Sequence, residues 1–304
     1  PGFDLCGLAL DLNLQLRAQV LPPADASAPA SHRLLEATGE AQSWPEDPSR
    51  NLLFRAFDRG LEAHGLPAAS LQVSVHSDIP TERGFGSSGA AVAAGLLLAA
   101  AQARASEARV LDRQRLAELG LSLEGHPDNS TASLFGGCTL GVPLDGDRLR
   151  IVRPPIAESL SLAIAWPEHR VSTKEARRVL PQTVEFATAV ENPRRLTLLL
   201  EGLRTADPEL LREGIRDNLH VPYRLPLIPG AEQALAAARE AGAYAATISG
   251  SGSGLVALTS NDVALQERVA SAMKAELERF GDSPAVGRAA AIQREAPRAI
   301  KDPE

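Results

Sequence analysis

Pro80-Thr-Glu-Arg-Gly84-Phe-Gly86-Ser87-Ser88-Gly89-Ala90-Ala91 follows an alternating apolar segment (Leu71, Val73, Val75) and opens a run of small apolar residues that reads as a buried helix over 87–103. Glycines at 84, 86 and 89 permit a tight turn and a close backbone approach. The first amides of an α-helix have no intrahelical acceptor, and the helix dipole adds positive partial charge there. Together these features predict a seat for anionic phosphate oxygens. The Ser87 and Ser88 hydroxyls can bind a phosphate oxygen or a metal ion. The stretch is not a Walker A loop, because no lysine occurs before Lys174. Nor does its glycine spacing fit a dinucleotide fingerprint. Positive charge is therefore expected from the helix terminus, Arg83 and a metal ion.

Working outward, the 304 residues suffice for one large domain or two ordinary ones. A net charge of −7 argues against a nucleic-acid partner. The richest apolar run, Ala90 to Ala101, is too short to cross a membrane. Cys6 and Cys138 lack CxxC spacing and read as two core thiols of a cytoplasmic protein, with neither a zinc site nor a redox pair indicated.

Leu8, Leu10, Leu12, Leu14 and Leu16 alternate as in a half-buried strand, and Ala24 to Ala30 reads as a loop. Helices are expected over 51–64, closed by Gly65, and over 112–124. Pro154-Pro155 separates strands at 149–152 and 160–165, which puts a domain boundary at 153/154. Beyond it, helices are expected near 173–180, 183–204, 208–218, 230–241 and 262–279. Strands are expected near 244–249, 254–258 and 285–294. Both halves are α+β.

Five segments carry a family resemblance. The Pro80–Ala91 stretch resembles the second motif of the GHMP kinases, with Phe85 for leucine and Gly89 for alanine. Gly125-His126-Pro127-Asp128-Asn129 and Leu219-His220-Val221-Pro222-Tyr223-Arg224 are similar to segments of the homoserine kinases within that superfamily. Ile248-Ser-Gly250-Ser-Gly252-Ser-Gly254 resembles the third GHMP motif, with Ser253 in place of a proline. Pro1-Gly2-Phe3-Asp4 resembles the end of the first motif, whose asparagine and preceding strand lie outside this sequence.

The resemblance implies a two-domain fold: an N-terminal domain over 1–153 like the second domain of ribosomal protein S5, and a ferredoxin-like domain over 154–304. ATP and acceptor would lie in the cleft between them. It implies ATP and Mg2+ as cofactors and L-homoserine as substrate, with no nucleic-acid or membrane partner; a homodimer is carried as a family expectation. ATP would contact Pro80, Arg83, Gly84, Phe85, Gly86, Ser87, Ser88, Gly89 and Ala90, and the metal would contact Ser88 and Glu118. Homoserine would contact Asp4, His126, Thr173, Arg177, Arg224 and Gly250. An arginine fork suits a carboxylate, and Thr173 and Arg177 share one helical face behind the capping box Ser172–Glu175. Asn129 and Arg177 are the catalytic candidates. An amide is no useful base, so the resemblance implies catalysis by positioning and electrostatics. Two other readings stay open: another small-molecule GHMP kinase, and a non-catalytic nucleotide-binding member.

Overall fold

The computed structural model describes residues 2–22, 30–146 and 148–300. They form two compact units. One contains Asp4–Thr81, Gly86–Arg153 and the tail from Gln293. The other contains Pro1–Phe3, Glu82–Phe85 and Pro154–Ile292. The expected loop over 24–30 falls almost wholly outside the described residues.

The first unit holds two three-stranded sheets. In one, β1 (Cys6–Leu8), β5 (Cys138–Pro143) and β6 (Leu149–Val152) run antiparallel in the order β1-β5-β6. In the other, β2 (Leu14–Leu21) pairs antiparallel and β3 (Arg33–Gly39) parallel with the central β4 (Ser70–Ser77). The leucine alternation at 8–16 thus belongs to two strands on different sheets. A turn interrupts it: Asn13 Nδ2 donates to Asp11 O at 3.2 Å, while Leu12 is buried. Within β4, Leu71, Val73 and Val75 are buried, as the period of two requires. Cys6 and Cys138, 132 residues apart, bring their sulfurs to 3.8 Å across β1 and β5 as free thiols.

Among the described residues, four α-helices complete this unit: α1 (Leu52–Ala63), α2 (Ser87–Ala105), α3 (Arg113–Glu124) and α4 (Asp128–Phe135). Asn51 caps α1 by accepting from Leu53 N at 3.0 Å, and Asp112 caps α3 by accepting from Arg115 N at 2.8 Å. The α1 stripe Leu53, Phe54, Phe57 and Leu61 is buried. By length and composition α2 could cross a membrane, but more than half of it lies inside the protein. Its small residues serve close helix packing: a Cβ on Gly60 of α1 would stand 2.5 Å from Ala99 Cβ of α2. Truncating Leu96, which has no exposed surface, would cost about 2–5 kcal/mol.

The second unit is an antiparallel sheet in the order β10-β7-β9-β8, from β7 (Leu160–Pro167), β8 (Ala245–Ile248), β9 (Leu255–Ser260) and β10 (Ala285–Ala290). Its helices are α5 (Thr173–Arg178), α6 (Phe186–Thr205), α7 (Pro208–Gly214), α8 (Val221–Arg224), α9 (Ala231–Glu240) and α10 (Val263–Gly281). Leu162, Ala163, Ile164 and Ala165 of β7 are wholly buried, which is why this strand reads as a continuous apolar run. Leu235, Met273 and Leu277 from α9 and α10 share a core with Ile248 and Leu255 of the sheet.

Candidate active site

The turn before α2 has the properties of an anion seat. Gly86 caps the helix in the left-handed region (φ 82°, ψ 25°) with no capping side chain. The first paired amide is that of Ala90, which donates to Gly86 O at 2.9 Å. Among the described residues of this unit, the amides of Gly86, Ser87, Ser88 and Gly89 find no acceptor. Gly89 is needed for packing: a Cβ there would lie 2.6 Å from Asn129 Cβ. This approach of α2 to α4 holds Asn129 beside the turn, its Oδ1 3.3 Å from where a Gly86 Cβ would be.

Ser88 Oγ donates to Glu124 Oε1 at 2.9 Å. Glu124 ends α3, and its Oε2 is buried without a hydrogen-bond partner. Ser130 lies close to this carboxylate without meeting hydrogen-bond geometry. Burial pushes the Glu124 carboxyl above the usual range, against the opposing pull of His126 and Ser88. Sequence reasoning expected Glu118 beside Ser88; in the structure the carboxylate that accepts from Ser88 is that of Glu124. Glu118 accepts from Arg115 Nη1 at 2.8 Å, Leu149 N at 3.3 Å and Gln114 Nε2 at 3.4 Å. Burial alone would raise its pKa, but these partners hold it below the ordinary value. Six residues separate the two carboxylates, so they point about 120° apart around α3.

The start of α4 gathers a second polar group. His126 Nδ1 and Asp128 Oδ1 are 2.8 Å apart, and the same oxygen accepts from Asn129 N at 2.9 Å. Ligand atoms of Asp4, His126 and Asp128 all lie within 4.8 Å of one another. Asp4 has φ 52°. The hydrogen bond to Asp128 pushes the His126 pKa up. Burial opposes this, and the charges of Asp128, Glu124 and Asp4 reinforce it. Strand β1 can approach this helix because Gly7 has no side chain; a Cβ would overlap the Asp128 carbonyl oxygen.

The remaining expected residues lie in the second unit, apart from buried Pro80. Arg83 is buried, with Nε donating to Pro167 O at 2.8 Å and Nη2 to Glu168 O at 2.5 Å. Arg83 was expected to neutralise phosphate charge; in the structure its guanidinium donates to these two carbonyls. Gly84 is likewise a packing glycine, since a Cβ would overlap the Ser249 carbonyl oxygen. Its own carbonyl accepts from Ser249 Oγ at 2.8 Å. Phe85 meets the Trp166 ring edge-on at 5.6 Å. In the third glycine-rich motif the Gly252–Ser253 peptide is cis, and Ser253 Oγ donates to His169 O at 2.5 Å.

Ser172 caps α5 by accepting from Glu175 N at 3.2 Å, leaving Thr173 and Arg177 exposed. Arg224 is 3% exposed, with Nε donating to Ala176 O at 3.1 Å and Nη1 to Gly250 O at 2.9 Å. Both guanidiniums lie against one ring: Phe3 has Arg177 Cζ at 5.4 Å and Arg224 Cζ at 5.0 Å from its centroid. The segment leading to Arg224 is anchored by Asp217. Its Oδ1 accepts from the amides of Leu219, His220 and Val221 at 3.0, 2.7 and 3.0 Å. Its Oδ2 accepts from Asn192 Nδ2 at 2.9 Å. Burial would raise the Asp217 carboxyl, yet His220, these amides and Asn192 hold it far below the usual range. Sequence reasoning missed Glu124, Phe3 and Asp217. For Glu124, its place directly before the Gly125–Asn129 segment was the available signal.

Residues 51–137 match the GHMP kinases N terminal domain, and residues 199–279 match the GHMP kinases C terminal domain. The chain is 40% identical over 281 residues to a homoserine kinase of Synechococcus sp. (strain RCC307), covering 92% of this chain and 86% of that protein. It is 39% identical over 262 residues to one from Prochlorococcus marinus (strain MIT 9303), covering 86% and 80%. The crystal structure of homoserine kinase from Cytophaga hutchinsonii superposes with TM-score 0.84 at 26% identity, covering 98% of this chain and 92% of that one. The crystal structure of L. major mevalonate kinase shares the fold at TM-score 0.66 and 15% identity, covering 95% of this chain and 89% of that one. The chain belongs to the homoserine kinase family of the GHMP kinases.

Proposed function

We propose that the protein phosphorylates the side-chain hydroxyl of L-homoserine with ATP, giving O-phospho-L-homoserine and ADP, a step of threonine biosynthesis. The observation that carries the phosphoryl-transfer chemistry is the set of unpaired amides from Gly86 to Gly89 at the start of α2. They bind the polyphosphate without a lysine, using the positive end of the helix. In the transfer, the homoserine oxygen attacks the γ-phosphorus, the bond from that phosphorus to the β,γ-bridging oxygen breaks, and the hydroxyl proton passes late to an oxygen of the transferred phosphoryl group.

A buried carboxylate oxygen without a partner beside a serine hydroxyl is the donor set of a hard divalent cation. Ser88 and Glu124 would hold Mg2+, with Glu118 left to its structural partners. When bound, the ion would neutralise charge on the phosphates, which otherwise meet no cation from Arg83.

Asp4 and Asp128, with His126, accept the homoserine ammonium. Arg177 takes the carboxylate from an exposed position, and the buried charge of Arg224 supports it, alongside Thr173 and Gly250. Asn129 orients the acceptor against the turn; it does not remove the proton. Domain limits of 1–153 and 154–304, a cytoplasmic location and a dimer remain part of this proposal.

The deciding experiment is ADP release with a panel of acceptors: L-homoserine, mevalonate, a sugar and a cytidylated polyol. Turnover with homoserine alone is expected. Homoserine-independent ATP binding with no turnover on any acceptor would favour the non-catalytic reading.

A further inference from the structure

Phe3 lies in a segment whose role the mechanism leaves unused. Its ring is shared by two guanidiniums, at 5.0 Å for Arg224 and 5.4 Å for Arg177, and by the His220 ring at 5.2 Å and 37°. Arg224 is also tied to Arg177 through the backbone, because its Nε donates to the carbonyl of Ala176, the preceding residue. Two like charges so placed repel one another, and one of them is almost fully buried. An aromatic face carries negative quadrupole charge, so it attracts a cation while imposing a fixed standoff.

We propose that Phe3 is a positioning residue for carboxylate recognition: its ring holds Arg177 and Arg224 in the spacing that receives the carboxylate of the amino-acid acceptor. The inference rests on the functional reading above. In this role Phe3 is not assigned any contact with the phosphates or the reacting hydroxyl. It acts through the two arginines, whose planar forks need fixed orientation to engage both carboxylate oxygens. Asp217 steadies the same group from behind by fixing the backbone of Leu219 to Val221, directly before Arg224.

The test compares the full chain with Phe3→Leu, which keeps an apolar side chain and loses the π face, and Phe3→Tyr, which keeps that face. Phe3→Leu should raise the KM for homoserine about tenfold, with kcat and the KM for ATP within about twofold of the parent. Phe3→Tyr should recover most of the loss. The acceptor 3-aminopropan-1-ol, homoserine without its carboxylate, should be used equally well by the parent and Phe3→Leu. An equal penalty on both acceptors would mean that Phe3→Leu disturbs the neighbouring Asp4, and would overturn the proposal, as would failure of Phe3→Tyr to recover. A second readout does not need turnover: protection against thermal unfolding by L-2-aminobutyrate, which has the carboxylate and lacks the hydroxyl. Phe3→Leu should need about tenfold more of it. Equal protection of both proteins, or none of the parent, overturns the inference whichever acceptor is phosphorylated. Absence of homoserine turnover in the parent, with protection intact and weakened in Phe3→Leu, would instead overturn the functional reading and leave the inference standing.

Discussion

Ser88 and Glu124 form a hydroxyl–carboxylate pair at 2.9 Å in which the second carboxylate oxygen is buried and unpartnered. A charge so placed costs stability unless a proton or a cation accompanies it. Glu124→Gln should therefore have two opposite effects. Turnover at saturating Mg-ATP should fall by about 10²-fold or more, with a much higher Mg2+ requirement. The unfolding midpoint of the ligand-free protein should rise by about 2 °C at neutral pH, because the raised carboxyl pKa makes the charged parent lose stability as pH climbs past it. Steady-state kinetics across a Mg2+ titration and thermal melts check both. A large kinetic loss in Glu118→Gln with none in Glu124→Gln would reverse the assignment.

Arg83 sits inside the phosphate-loop sequence, yet its guanidinium holds the carbonyls of Pro167 and Glu168. Arg83→Met removes charged donors from buried carbonyls and should cost about 2–3 kcal/mol of stability. The KM for ATP should stay within about threefold. Denaturant unfolding and ATP kinetics on one preparation give both numbers. A tenfold rise in that KM with unchanged stability would restore Arg83 to the phosphates.

The chemistry-bearing segments were legible because their residue types are constrained locally. Gly86 must take a left-handed φ, Ser172 must cap, and β7 must be apolar on both faces. What was not legible depended on three-dimensional approach. Glu118 and Glu124 both sit on α3, and their separation in angle becomes visible only once the helix is placed against α2. Gly84 and Gly89 read as room for a ligand, whereas in the fold they make room for Ser249 and Asn129. Strand β3 was missed because its exposed Leu35 and its register shift between Leu34 and Glu36 erase the alternation. The thiols of Cys6 and Cys138 approach only through β1–β5 pairing.

His126 gives a pH dependence of predictable sign. Its pKa is pushed above 6.5, chiefly by Asp128. While protonated it offsets part of the negative charge of Asp4 and Asp128. As pH rises through the raised value, that offset disappears and the carboxylates attract an ammonium more strongly. The KM for homoserine should therefore fall severalfold between about pH 6 and pH 8. Stability should move the other way: the histidine's contribution is complete below its unfolded pKa of about 6.5 and is lost as pH passes the folded value. His126→Gln should flatten both trends, as read by kinetics and melts on a common pH series. A parent KM that is flat or rises over this range would remove His126 from ammonium recognition.

Asn129 tests whether any base is needed. It lies against the α2 turn, its Oδ1 3.3 Å from where a Gly86 Cβ would be. A neutral amide there can orient a hydroxyl but cannot usefully take its proton at neutral pH. If the transition state is loose, the acceptor proton departs late and orientation carries most of the benefit. Asn129→Ala should then lose only about tenfold in kcat, with little solvent-isotope dependence and no new pH limb. A loss of about 10²–10⁴, the scale on which removal of a general acid or base is felt, would show that the amide takes part in proton transfer, and the mechanism would have to find a base at this position after all.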